Sequence, residues 1–214
     1  MRTKAVIFDL DETLIPSSAV YAAALKAVGL SSKNPRYSRA RELVKRRLGS
    51  GHPSSHNRLL YFKAMLEAAG KGSAKNILRL MDRYEAALER IVAREWKESG
   101  LATLLLDLSK RHRLGLLSNE NTRTQLIKLR VIDPTGRLFS AVVLSEDLGV
   151  EKPDPKIFRE IFRRLDVKPR ECVMVGDDLD ADIRPMRKWG AGVFHVRTIS
   201  DLRRLKEFIR ERDR

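Results

Sequence analysis

Lys4-Ala-Val-Ile-Phe-Asp9 is a short β-branched and aromatic run that stops at an acid, the pattern of a buried strand. From residue 17 to residue 99 the period changes. Ala- and Leu-rich segments such as Ala19 to Val28 and Asn76 to Arg94 carry apolar residues at helical spacing. They are interrupted by Gly29-Leu-Ser-Ser, Gly49-Ser-Gly-His-Pro-Ser-Ser and Gly70-Lys-Gly-Ser. After Gly100 strands and helices alternate. Strands are predicted over Arg113 to Leu117, Ala141 to Leu144, Cys172 to Val175 and Gly192 to Val196. Helical stripes lie between and after them, as in Ile157, Phe158, Ile161, Phe162 and Leu165, and again in Leu202, Leu205, Phe208 and Ile209.

This alternation predicts an α/β fold, a Rossmann-like doubly wound parallel sheet with an inserted all-helical domain. Residues 1–16 and 100–214 are assigned to the core and residues 17–99 to the helical insertion. Right-handed crossovers bring the carboxyl ends of the strands to one edge, where such sheets bind ligands. The insertion comes after the first strand and therefore leaves the sheet at that edge, as a lid would.

Composition narrows the classes. At 214 residues, 43% apolar and 33% charged, the chain is long enough for its own core and is not intrinsically disordered. Cys172 is its only cysteine, which excludes a disulfide framework and a cysteine-cluster zinc site. It reads most simply as a small core residue, and Trp96 and Trp189 as helix-face packing. No apolar run approaches the roughly 18 residues of a membrane span, so a soluble, cytoplasmic protein without a membrane partner is expected. Lys and Arg exceed Asp and Glu by 15, and residues 17–99 hold 10 of that excess. Such a charge is either a solvated surface or a field for anionic partners.

Chemistry-bearing residues stand after each strand. Asp9-Leu-Asp11-Glu-Thr13 succeeds the first and Ser118-Asn119 the second; Lys152 succeeds the third, ahead of a helix opened by Pro153-Asp-Pro. Gly176-Asp177-Asp178-Leu-Asp180-Ala-Asp182 succeeds the fourth. Each has a dull explanation: turn chemistry, an N-cap pair, a surface lysine. A calcium loop counted from Asp178 fails, because Ile183 and Trp189 stand where Gly and Glu are required. Four dull explanations, each at a strand's end, are a poorer account than one phosphoryl-transfer site. Paired carboxylates with oxygen-only ligands suit Mg²⁺, and a lysine and a helix N-terminus suit phosphoryl oxygens.

In these four motifs, their order and their spacing, the chain from about Lys4 to Val196 resembles haloacid dehalogenase superfamily hydrolases with a helical cap after the first motif. The resemblance implies that Asp9 is the nucleophile and forms an aspartyl-phosphate. Asp11 becomes the general acid and base, with its backbone carbonyl on Mg²⁺. Thr13, Ser118, Asn119 and Lys152 fall on the substrate's phosphoryl group, Lys152 also being catalytic. Asp9, Asp11 and Asp177 fall on the metal, with Asp178 and Asp182 as supporting acids. Asp11 argues against the dehalogenase branch, which lacks a carboxylate there. The stretches Ser118 to Gln125 and Gly149 to Phe158 look most like archaeal-type phosphatases of small aldehyde or sugar phosphates.

The implied activity is hydrolysis of a small phosphomonoester, with a phosphomutase as the alternative within the superfamily. A basic nucleic-acid-binding module is the alternative outside catalysis, and only charge supports it. Two features stay open. Glu120 stands where the family more often has a neutral residue; it is either a first-turn acid on the helix dipole or a contact to a substrate hydroxyl or amine. The stretch Gly49 to Arg58, holding His52 and His56, is either an exposed connection or a substrate-selecting loop.

Overall fold

A computed structural model describes residues 2–49 and 51–214. Among the described residues five parallel strands form one sheet: β1 (Ala5–Phe8), β2 (Arg113–Ser118), β3 (Ala141–Leu144), β4 (Cys172–Gly176) and β5 (Gly192–His195), in the order β3-β2-β1-β4-β5. The expected strands all appear, with no end moved by more than one residue.

Between β1 and β2 the regular elements are helical: α1 (Ser17–Ala27), α2 (Pro35–Leu48), α3 (Arg58–Ala68), α4 (Ala74–Ser99) and α5 (Leu101–Ser109). The later helices are α6 (Thr122–Ile132), α7 (Ser145–Leu148), α8 (Pro155–Leu165), α9 (Arg184–Lys188) and α10 (Leu205–Asp213). Side-chain caps explain several starts: Asn34, Asn57, Ser73, Asn121 and Asp154 each accept a backbone N–H of the helix they precede.

Strand alternation separates two apolar layers. Val6, Phe8, Leu114, Leu116, Val173 and Val175 join the larger core with α1, α4, α5, α6 and α10. Ala5, Ile7, Leu117, Val143 and Met174 face the other way, onto Ile157, Phe158, Ile161 and Leu165 of α8 and Met186 of α9. Burial on both faces is why these strands read as continuous apolar runs rather than as alternating ones. Trp96 is nearly buried, Trp189 packs on Phe162 at 5.8 Å between ring centres, and Cys172 is a buried free thiol. Among the described residues no helix is long and apolar enough to cross a membrane.

The strand order has a functional consequence. The chain runs outward from β1 through β2 to β3, then crosses to β4 on the other side of β1. That reversal opens the crevice beyond the carboxyl ends of β1 and β4, the place where open α/β sheets bind ligands.

Candidate active site

Asp9 leaves β1 at this crevice, and its N–H donates to the Val175 carbonyl of β4 at 2.9 Å. Its side chain is buried. Lys152, also buried, reaches across from the loop before α8. Its ammonium donates to Asp9 Oδ1 at 2.6 Å, to Asp182 Oδ1 at 2.7 Å and to the Leu117 carbonyl at 3.1 Å. All three of its N–H groups are thus engaged, which is how a lysine tolerates complete burial.

Asp177 comes just after β4 and accepts from Thr13 Oγ at 3.3 Å. Carboxylate oxygens of Asp9, Asp177 and Asp182 lie within 4.8 Å of one another. Burial raises the Asp9 carboxyl, Lys152 opposes that, and Asp182 and Asp11 add to it. Burial and Asp182 likewise raise Asp177. Lys152 is raised by its two carboxylates against the effect of its own burial. Three carboxylates around one ammonium leave an excess of negative charge in a dry place. An oxygen-only donor set with that excess fits a hard divalent cation.

Gly176 makes the crowding possible. A Cβ there would stand 2.4 Å from Asp182 Oδ2 and 2.6 Å from its Cγ. Gly176→Ala is expected to push Asp182 off Lys152, to cost about 1–3 kcal/mol of stability and to lower turnover, read by thermal melting and steady-state assay. A variant matching wild type in both would show that Asp182 has room to move.

Asp11 is held by a different set of partners. Its Oδ1 accepts from the Lys128 ammonium and from Tyr21 Oη (3.2 Å); its Oδ2 accepts from Gln125 Nε2 (2.6 Å) and, at a long 3.5 Å, from Ser118 Oγ. Burial would raise this carboxyl, yet Lys128 and the hydroxyl and amide donors hold it well below the usual carboxylate range.

The positions expected from sequence thus separate into groups. Asp9, Lys152, Asp177 and Asp182 meet directly. Thr13 is buried beneath Asp177, and Ser118 is buried between Asp11 and Gln125. Asn119 directs its amide to the backbone of Lys152, donating to the carbonyl at 2.8 Å and accepting from the N–H at 2.7 Å. It clamps the lysine's loop to the end of β2. Asp178 lies outside the carboxylate cluster, because its side chain accepts from the N–H groups of Asp180 and Ala181 (2.7 and 2.9 Å) and so caps the next turn.

Glu120 is buried. Its carboxylate meets Arg58 Nη1 at 2.9 Å and accepts from its neighbour Asn121 at the start of α6. Arg58 lies 3.7 Å over the ring of Tyr21. The stretch leading to Arg58 touches the core twice more: Ser54 Oγ donates to Glu146 at 2.9 Å, and His56 Nε2 stands 3.6 Å from Glu151. This connection is therefore seated over the strand ends rather than free in solvent.

Sequence reasoning missed Tyr21, Gln125 and Lys128. The available signal was a polar pair three residues apart on α6, at positions where the helical period points inward.

A family model for haloacid dehalogenase-like hydrolases matches residues 3–190. The glyceraldehyde 3-phosphate phosphatase of Methanopyrus kandleri is 35% identical over 207 residues, covering 91% of this chain and 84% of that protein. The ribulose-1,5-bisphosphate 5-phosphatase of Halopiger xanaduensis is 37% identical over 194 residues, covering 84% of this chain and 78% of that one. Among solved structures, the HAD hydrolase YfnB of Bacillus subtilis, bound to magnesium, superposes with a TM-score of 0.67 at 22% identity, covering 97% of this chain and 100% of that one. The chain belongs to the haloacid dehalogenase-like hydrolases. Its enzyme class is that of the phosphoric monoester hydrolases.

Proposed function

We propose that the protein hydrolyses a small sugar or aldehyde phosphate through an aspartyl-phosphate on Asp9, with Mg²⁺ as cofactor and α1–α4 as the cap. The observation that carries this reading is the bridge from Lys152 to both Asp9 and Asp182, with Asp177 alongside, at the point where the strand order reverses. The names of the two archaeal relatives support the substrate class.

Asp9 attacks phosphorus in line, and Asp11, which takes up a proton as the substrate complex forms, passes it to the leaving oxygen. Water then attacks the acyl phosphate, Asp11 takes its proton, and the P–O bond to Asp9 breaks to return the carboxylate. Lys152 keeps Asp9 oriented and offsets repulsion between carboxylate and phosphate. Asn119 fixes the loop that carries Lys152. Asp9, Asp177 and the backbone carbonyl of Asp11 would hold Mg²⁺, with Asp182 beside them; when bound, it supplies charge neutralisation for the phosphoryl group. Exposed Arg36, Arg39, Arg41, Arg46 and Arg47 on α2 give the cap a positive field that draws in small anions.

The test is release of inorganic phosphate from a panel of phosphorylated metabolites, including glyceraldehyde 3-phosphate and ribulose 1,5-bisphosphate, without a bisphosphate activator. Turnover of at least one small monoester is expected. Release that needs a bisphosphate activator would make the enzyme a mutase, and no release from any ester would overturn the reading.

A further inference from the structure

Lys128 is fully buried on α6, at a position flanked by the core residues Ile127 and Leu129. An uncompensated ammonium there would be strongly destabilising. Its three N–H groups have three acceptors: the Asp11 carboxylate, Tyr21 Oη at 2.6 Å and Ser17 Oγ at 3.2 Å. Two of these acceptors, Ser17 and Tyr21, belong to α1, the first helix of the insertion, whereas Lys128 belongs to the sheet-packed core. Its ammonium also lies 4.6 Å from the centre of the Tyr21 ring. Gln125, three residues earlier on the same face of α6, donates to the other oxygen of Asp11. Each oxygen of Asp11 is thus held by a different side chain of one helix, and the hold on Oδ1 is shared with α1.

A side chain with every proton committed inside the protein has none to offer a substrate. Its effect must pass through Asp11. We infer that Lys128 is a positioning residue for the second half-reaction: with Gln125 on the other oxygen, and tied to Ser17 and Tyr21 of α1, it fixes the orientation in which the Asp11 side chain takes the proton from the attacking water. The balance is that of the hydrolysis above. Water's oxygen bonds to phosphorus, its proton passes to Asp11, the electron pair of the P–O bond returns to Asp9, and inorganic phosphate leaves. Lys128 itself neither gains nor loses a proton. This inference rests on the proposed reading of Asp9 and Asp11, and it adds a step-specific role that the reading does not contain.

Step specificity makes it testable. The ratio kcat/KM reports events up to the first irreversible step, which is departure of the leaving group, whereas kcat includes hydrolysis of the acyl phosphate. Lys128→Met keeps the length of the side chain and removes the ammonium. On p-nitrophenyl phosphate its kcat is expected to fall about 10- to 100-fold, a share of the 10²–10⁴ that a positioned base is worth. KM should fall in parallel, so that kcat/KM is not lowered. Rapid mixing should show a burst of about one equivalent of p-nitrophenol per enzyme ahead of phosphate. General loosening of the site would instead lower kcat/KM and give no burst. That outcome, or an unchanged kcat, would overturn the inference.

If Lys128→Met does not fold, Gln125→Leu removes the donor on the other oxygen and should show the same split and burst; kcat and kcat/KM falling together would overturn it there. Asp11→Asn, assayed on an alkyl phosphate, separates the two levels. Loss of both kcat and kcat/KM is expected, because an alkoxide leaves poorly without an acid. If Asp11→Asn behaves so and Lys128→Met does not show its split, only the Lys128 role fails. An Asp11→Asn enzyme with normal kcat/KM would remove the acid role of Asp11 and this inference with it.

Discussion

Asp9→Asn is expected to abolish turnover while leaving the fold intact. The amide has the shape of the carboxylate but lacks the charge and the lone-pair availability that attack on phosphorus needs. A loss of at least about 10³-fold is expected, equivalent to about 4 kcal/mol of barrier. Stability should change little, and the reason is local. Lys152 keeps its bonds to Asp182 and to the Leu117 carbonyl, so no ammonium is stranded. The substitution also removes one of several crowded buried acids, which relieves repulsion with Asp182 and Asp11. Thermal melting should therefore stay within a few degrees of wild type, and acid quenching should trap no phosphoenzyme. A variant with more than a few per cent of wild-type activity would rule Asp9 out as the nucleophile.

The strands and the acids at their ends were legible because both signals are local. A buried parallel strand is a contiguous apolar run, and the residues at its carboxyl end lie at the ligand edge whatever the rest of the chain does. Asp9, Ser118 and Asp177 could be placed on that ground alone; Lys152, separated from the end of β3 by α7, was placed by the order and spacing of the motifs. Lys128 could not. Its partners Asp11, Ser17 and Tyr21 lie 117, 111 and 107 residues away, and a lysine next to apolar residues reads as a surface lysine until those partners are seen. Glu120 was ambiguous for the same reason, since the cation that makes its burial tolerable is Arg58, 62 residues earlier. Asp178 and Asp182 are alike in sequence, both acids in one short segment. Backbone geometry separates them: the turn from Leu179 to Ile183 takes the Asp178 carboxylate for its own N–H groups and aims Asp182 at Lys152. Asn119 shows the same limit, because nothing in a Ser-Asn pair says that the amide will bind the backbone of a residue 33 positions on.

Removal of divalent metal is expected to stop the reaction, and its return both to restore activity and to stabilise the protein. The stabilisation comes from charge. Oxygens of Asp9, Asp177 and Asp182 within 4.8 Å of one another share a single close ammonium, and burial and mutual repulsion raise the Asp9 and Asp177 carboxyls. A cation that binds the folded site but not the unfolded chain relieves that repulsion, and at 100 times its dissociation constant it adds about 2.7 kcal/mol. For a chain of this length that is a rise in Tm of about 5–11 °C. Mg²⁺ should raise Tm and support turnover. Ca²⁺ should raise Tm and inhibit, because its larger and less octahedral oxygen shell suits the acids without holding the reacting groups in line. Asp177→Asn removes a charge from the cluster without touching Asp9, so it should lose both the Mg²⁺-dependent rise in Tm and most of the activity. Paired melting curves and phosphate-release assays, in chelator and then with each metal restored, separate these outcomes. Full turnover after exhaustive dialysis against excess chelator would mean that Lys152 alone compensates the acids, and the metal assignment would fall.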